Sequence, residues 1–490
     1  QNPPRGEKGI ETMIFFVLLL ALAGLFLLVL AFNAVRAGCR RPKPGPGLPA
    51  APQKAQAQYA QGLGQMLACA TVARKEGHDD AEFARLRGVM RGLFPLVHER
   101  AEFQVFGADC WVYRIPGADP ARAVMLMSHH DVAEVPDGEA WTHPPFSGAV
   151  AQGAVWGRGA VDTKGPLYAE FQAVEELLAR GWAPPCDLYL ASSHNEEIAG
   201  DGIPLAVKYF QEKGVTFDFI LDEGGAVIAA PMPGVRCQCA MIAVHEKGRC
   251  SLECRAEEAP GHGGLAGKTD TPVMRMAKFM AEISARPPFR RRLYPEVRAM
   301  FTGLCPYMTF PMRLVFANLW CFAPLLLRLM PRLNPQAGAM VGTLCAFNRV
   351  EGSTKAHACS ATAFLRCVRE EDLQADLQAF TAAAAKYGVT VERGEEYEYH
   401  APADLGSPAL AYVQACAAAV FPQCACAPFL LPAGTDARHF SGLCRSVLRF
   451  APIRLSPAQF ASVHGRDENL GVAALADAVA FYRYLLENLR

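Results

Sequence analysis

The stretch Ala123-Val124-Met125-Leu126-Met127-Ser128-His129-His130-Asp131 decides the fold. An apolar run of this length, without polar alternation, reads as a parallel strand covered on both faces. His129 and Asp131 follow at once, which puts them where open α/β sheets bind ligands, at the carboxyl end of a strand. The arrangement recurs twice. Cys186-Asp187-Leu188-Tyr189-Leu190-Ala191 leads into Ser192-Ser193-His194-Asn195-Glu196-Glu197, and Phe217-Asp218-Phe219-Ile220-Leu221 leads into Asp222-Glu223-Gly224-Gly225. Three strands thus deliver acids and imidazoles to one rim.

Between them, Trp156-Gly157-Arg158-Gly159-Ala160-Val161-Asp162-Thr163-Lys164-Gly165 is a glycine-punctuated loop. It runs into a helical pattern with apolar residues at Leu167, Phe171, Val174, Leu177 and Leu178. Asp162 therefore stands at a helix start, where a fixed carboxylate can engage two cations at once, as a two-metal hydrolase requires. Taken singly, a His or Asp after a strand reads as a cap or turn residue. The adjacent Glu196-Glu197 pair does not, because two like charges at a sheet rim call for a cation or a proton.

Five strings, in this order, resemble the dizinc metallopeptidases that include carboxypeptidase S, the aminoacylases and the N-fatty-acyl-amino acid synthase/hydrolases. They are Ser128-His129-His130-Asp131-Val132, Gly157 to Gly165, Asn195-Glu196-Glu197, Leu221-Asp222-Glu223-Gly224-Gly225 and Val463-His464-Gly465-Arg466-Asp467-Glu468. The resemblance covers about residues 57 to 490. It implies that Asp162 bridges two Zn2+ ions, that His129 and Asp222 complete one site, and that Glu197 and His464 complete the other. Glu196 would be the general base and Asp131 would orient the His129 imidazole, while His130 falls in a variable slot and reads as packing. The zinc ions would acidify a water and polarise an amide carbonyl, and Glu196 would carry a proton from that water to the leaving amine.

Composition agrees without identifying. The chain has 490 residues, no formal net charge and 51% hydrophobic residues, room for two globular domains plus an apolar segment. Zero net charge argues against nucleic acid as a partner. Met13 to Phe32 is an uninterrupted apolar run with no charge until Arg36, long enough to span a bilayer and longer than the apolar core of a signal peptide. Residues 13-35 therefore read as a single-pass anchor. Arg36, Arg40, Arg41 and Lys43 after the span point to a cytoplasmic catalytic domain, whereas secreted and vacuolar relatives point the other way. The 17 cysteines, Cys237-Gln238-Cys239 and Cys424-Ala425-Cys426 among them, match neither a disulfide framework nor a structural zinc site. They read as buried thiols.

Arg41 to Gly47 is rich in Pro and Gly, so 36-56 reads as a linker. The catalytic domain would comprise 57-244 and 403-490, interrupted by an α+β lid or dimerisation domain at 245-402. Within the lid, Gly248 to Ala256 is strand-like and Pro260-Gly261-His262-Gly263-Gly264 follows. The resemblance implies that His262 helps hold the substrate's oxyanion, in relatives often across a homodimer. Gly263 and Gly264 stand where the family usually has serines. Ala361 to Arg366 resembles the strand whose arginine binds the substrate carboxylate, although Lys355-Ala356-His357-Ala358-Cys359 replaces the asparagine motif that normally precedes it. Leu431-Pro432-Ala433-Gly434-Thr435-Asp436-Ala437-Arg438 matches the family's Gly-Thr-Asp-Ala-Arg loop, which adds Gly434 and Arg438 as substrate-binding positions. Leu314 to Leu333 is dense in Leu, Phe and Trp but broken by Pro324 and Pro331. It reads as an apolar helix pair of the lid, lining a pocket for an acyl or side chain, rather than a re-entrant membrane segment.

The sequence thus leads to an α/β zinc exopeptidase, a mixed sheet flanked by helices with an inserted α+β domain and an N-terminal transmembrane helix. Its substrate would be a small peptide or N-acyl-amino acid, cleaved at an amide beside a free carboxylate. The alternatives are a biosynthetic deacetylase or desuccinylase, against which the anchor and apolar insertion speak, and a non-catalytic membrane-tethered binding protein, against which the intact ligand set speaks.

Overall fold

The computed structural model describes residues 5–75, 79–136, 138–257, 271–333, 335–353 and 357–490. The strand Asp119–Met127 lies between Cys186–Ser192 and Phe219–Asp222, parallel to both. Val447–Arg449 continues the parallel set beyond Phe219–Asp222. Side chains alternate between two cores as the pleat requires. Val124 and Leu126 enter one with Leu188 and Leu190, and Met125 and Met127 enter the other with Tyr189 and Ala191. The helices Gln53–Leu67, Lys164–Ala179 and Val472–Glu487 cover the first face, and Gly202–Lys213 covers the second. Leu126, Leu188, Leu190 and Leu221 are each 0% exposed, and burying each stabilises the sheet by roughly 1.5–3 kcal/mol. Antiparallel neighbours extend this core into a mixed 10-stranded sheet.

Gln238–Glu246 belongs to that sheet, and Gly248–Glu257, one residue later, belongs to a separate 4-stranded antiparallel sheet with Leu344–Ser353, Ala358–Cys367 and Thr390–Glu398. Helices Pro272–Ala285 and Glu370–Ala385 pack on its inner face through Phe279 and Phe380. The chain returns to the main sheet at Ala403, whose N–H donates to the Val244 carbonyl (2.7 Å).

The apolar insertion packs elsewhere than on the 4-stranded sheet. Helix Pro295–Leu304 sits against the Ala425–Leu431 strand of the main sheet, with Val297, Met300, Phe301 and Leu304 buried against Met241, Ala427 and Leu430. Phe310–Phe316 and Leu319–Leu333 follow, bent by 98° at the break between them. Both lean on the long N-terminal helix Arg5–Cys39, which runs past the expected end of the anchor. Asn33 Nδ2 donates to Asn318 Oδ1 (2.8 Å), Asn318 Nδ2 donates to the Leu30 carbonyl (3.1 Å), and Phe26 meets Trp320 edge to face at 5.9 Å. Part of the insertion's apolar surface thus packs on the N-terminal helix, while Trp320, Leu325 and Leu333 stay exposed. Within that helix Thr12–Cys39 is apolar and long enough to cross a membrane. All 17 cysteines are free thiols.

Candidate active site

The carboxyl ends of the three parallel strands meet the Asp162 loop and the segment after Ser462. His129 Nε2 lies 3.0 Å from Asp162 Oδ1, and His464 Nε2 lies 3.0 Å from Asp162 Oδ2. One carboxylate therefore faces two imidazoles, one through each oxygen. Glu197 Oε2 is 3.1 Å from His464 Nε2, so Asp162, Glu197 and His464 form one cluster of donor atoms. The other is His129, Asp162 and Glu223.

The sequence reading placed Asp222 with His129; in the structure its neighbour Glu223 supplies the carboxylate that lies with His129 and Asp162. Asp222 is 2% exposed and its two oxygens accept the backbone N–H groups of Glu223 and Ala437 (both 2.9 Å). Those bonds turn its carboxylate toward the Asp436 loop. Burial, reinforced by Asp436, pushes Asp222 up to about 7.

Asp131 is fully buried and acts in two directions. Its backbone carbonyl oxygen is 2.9 Å and its Oδ1 3.3 Å from His129 Nδ1, and its two carboxylate oxygens accept the N–H groups of Glu196 (3.2 Å) and Glu197 (3.0 Å). It fixes the His129 ring so that Nε2 faces Asp162, and it shapes the turn that presents both glutamates. His130 packs instead, stacked on Trp111 at 3.8 Å and held down to about 4 by burial.

A residue that sequence reading left without a role organises the Asp162 loop. Glu468, 0% exposed, accepts from Arg158 Nη1 (2.7 Å) and from the N–H groups of Gly159 (3.0 Å), Val161 (2.8 Å) and Asp162 (3.1 Å). Gly159 is required there: its φ is 89°, and a Cβ would lie 2.6 Å from Val132 Cγ1. His464 has a left-handed φ of 58°, which costs a non-glycine residue about 1 kcal/mol. The available signal was the pairing of an arginine inside the glycine loop with an acid four residues past His464.

Electrostatics show what the cluster lacks. Burial drives Glu196 and Glu223 well above the usual carboxylate range, and the negative charge of Asp162 adds to this at both. Burial opposes ionisation of Asp162 as well, but hydrogen bonds from His129 and His464 outweigh it and hold Asp162 low. Those bonds to Asp162 and Glu197 raise His464 to about 10. Glu197 Oε1 is buried without a hydrogen-bond partner. Carboxylates crowded around two imidazoles, with one buried oxygen unpaired, are short of positive charge, and oxygen and imidazole donors suit zinc.

Arg438 is 6% exposed, donates to the Thr435 carbonyl (2.8 Å) and lies 3.0 Å from Glu398 Oε2 and 4.0 Å from Glu196 Oε1. Arg366 stands on Ala358–Cys367 opposite Arg249. Burial and the charges of Arg249 and Arg438 hold its pKa down, so the two predicted arginines share one electrostatic neighbourhood. Gly434 leaves its Cβ position open toward Arg438 Nη1, 3.8 Å away. His262 lies outside the described residues.

The profile of peptidase family M20/M25/M40 matches residues 125–488. The chain belongs to this family. M20 members are metallo-peptidase hydrolases that bind metal ions in pairs, and this M20 chain is an enzyme of that class. It is 26% identical to the probable carboxypeptidase S-like 2 of Dictyostelium discoideum over 99% of this chain and 96% of the relative. It is 29% identical to the N-fatty-acyl-amino acid synthase/hydrolase PM20D1 of Mus musculus, over 81% of each. Its fold matches that of an M20 metallo-carboxypeptidase from Sulfolobus solfataricus with a TM-score of 0.63 at 17% identity, over 88% of this chain and 98% of the other.

Proposed function

We propose that the chain hydrolyses the amide bond of an N-acyl-amino acid or small peptide beside a free carboxylate, using two zinc ions. The observation that carries this reading is the Asp162 carboxylate, with His129 on one oxygen and His464 on the other, each 3.0 Å away. His129, Asp162 and Glu223 would hold one ion, and Asp162, Glu197 and His464 the other. When bound, the ions supply Lewis acidity toward the carbonyl and acidify water.

The remaining work falls to side chains. Glu196 contributes no donor atom to either cluster and its carboxyl is raised by burial, which suits a group that takes a proton from water and returns it to the leaving amine. Asp131 keeps His129 and Glu196 in register through the bonds described above. Arg366 and Arg438 would bind the substrate's carboxylate, since guanidinium pairs with it bidentately. Thr12–Cys39 would tether the enzyme as a single-pass anchor, with Arg36, Arg40 and Arg41 keeping the catalytic part on the cytoplasmic side.

The test is metal analysis of the purified full chain, together with a panel of N-acyl-amino acids and dipeptides in free and amide-capped form. Two zinc per chain, loss of hydrolysis on chelation, and preference for free carboxylates are expected. Full activity in metal-free protein, or equal turnover of capped and free substrates, would sink the reading.

A further inference from the structure

We infer that the cavity at the foot of the N-terminal helix binds the headgroup of an anionic phospholipid; this rests on the reading of Thr12–Cys39 as a membrane anchor. The cavity holds about 760 Å³ and is lined by Arg36, Arg40, Arg41, Lys43 and Arg298, with no acidic residue in its wall. In a chain with 48 basic and 48 acidic residues, five cations around one acid-free cavity are a local excess. Among the described residues none of the five is in an ion pair. The Arg41 guanidinium lies 4.9 Å from the centroid of the Tyr307 ring, which leaves its N–H groups available to an anion.

Besides neutral polar residues such as Asn33, Thr302, Gln414 and Gln423, the wall has an apolar side, whose placement follows the helix. Phe316, Leu319 and Trp320 line the cavity from the segment that touches Phe26, Leu30 and Asn33, within the apolar part of the helix. The cations come three residues and more beyond Asn33. Apolar contacts on the bilayer side and positive charge on the water side match the polarity of a phospholipid at a leaflet boundary. The surface continues outward: Trp320 is 60% exposed, Leu325 51% and Leu333 77% on one helix, beside a span in which Leu20 is 71% exposed. Apolar groups so exposed beside a span are covered in a membrane by lipid. The cavity is separate from the active site. Cys424 and Cys426 line it at the start of the Ala425–Leu431 strand, whose far end, about 20 Å away at 3.3 Å per residue, leads toward Arg438.

The experiment uses the full chain, zinc-loaded, in neutral detergent with equimolar phosphatidylglycerol and phosphatidylcholine, and native mass spectrometry counts the lipid retained. One phosphatidylglycerol per chain is expected, with phosphatidylcholine at roughly a tenth or less. The combined Arg40→Gln, Arg41→Gln and Arg298→Gln protein should lose it, whereas lysine at the same positions should keep it. Amide hydrolysis unchanged in both variants shows that they fold. Equal retention of the two lipids, or retention by the glutamine variant, overturns the proposal. So does displacement by millimolar inorganic phosphate, which marks a free-anion site, or by N-oleoylglycine at lower concentration than phosphatidylglycerol, which marks a substrate site. Alkaline extraction of cell membranes and the mass of the mature N-terminus test the anchor separately, so its failure is told apart from a failure of lipid selectivity.

Discussion

Asp222 and Glu223 are neighbours in sequence, yet their carboxylates serve different partners: Asp222 caps two backbone N–H groups, and Glu223 joins His129 and Asp162. Without Asp222 the Ala437 N–H would lose its acceptor, and without Glu223 one cluster would lose its third donor atom. The distinction can be tested directly. Glu223→Ala should lower zinc content from two toward one per chain. Asp222→Asn should keep both ions while losing about 1–3 kcal/mol of stability, because one buried N–H is left unmatched. Metal loss in Asp222→Asn, with both ions kept in Glu223→Ala, would return Asp222 to the ligand set.

Glu196→Gln should retain zinc and lower turnover by at least roughly a hundredfold, because it removes a proton acceptor and not a donor to metal. If zinc is lost instead, Glu196 and Glu197 have been assigned in reverse.

The two arginines should separate kinetically. Arg366→Ala should raise KM for substrates with a free carboxylate by roughly ten- to a hundredfold, the effect of losing a charged hydrogen bond worth about 1.5–3 kcal/mol, with kcat little changed. Arg438 lies 4.0 Å from Glu196 Oε1, so Arg438→Ala should lower kcat as well. Amide-capped substrates should be indifferent to the Arg366 change; an equal penalty on them would remove Arg366 from the clamp.

Stability should fall in acid through a residue at the crossing between the two sheets. His245 is 1% exposed and lies 3.0 Å from Arg369 Nη1. Burial and that guanidinium push its imidazole down from 6.5 to about 3. A folded pKa below the unfolded one means that the unfolded chain takes up the proton first. The contribution of His245 is therefore complete above 6.5 and is lost as pH falls toward 3, at about 1.4 kcal/mol per unit. Urea midpoints of wild type and His245→Asn, compared between about pH 4 and 7, should differ in slope; parallel profiles would exclude His245 as the source.

The three parallel strands were legible because each is a continuous apolar run that ends on an acid or a histidine, and the pleat did the rest. Period-two alternation separates Val124 from Met125 but cannot decide between Asp222 and Glu223, because the strand ends at Asp222 and the turn, not the pleat, aims the next side chain. Glu468 was hidden for another reason. Its value lies in backbone N–H groups of a distant loop, which no residue pattern displays. The neighbour of the insertion was not legible: Leu, Phe and Trp announce burial or contact, but a helix nearly three hundred residues earlier as partner is a tertiary fact.

His464 and Glu468 reach the Asp162 loop from the far end of the chain, Glu468 pairing with a backbone N–H 306 residues away. On the ribosome, Asp162 and its strand emerge long before either partner. Until the segment after Ser462 has been made, one donor cluster lacks its imidazole and the glycine loop lacks the carboxylate that shapes it. On the proposed reading, a chain that stops before Ser462 would be hydrolytically silent, because it lacks both His464 and Glu468.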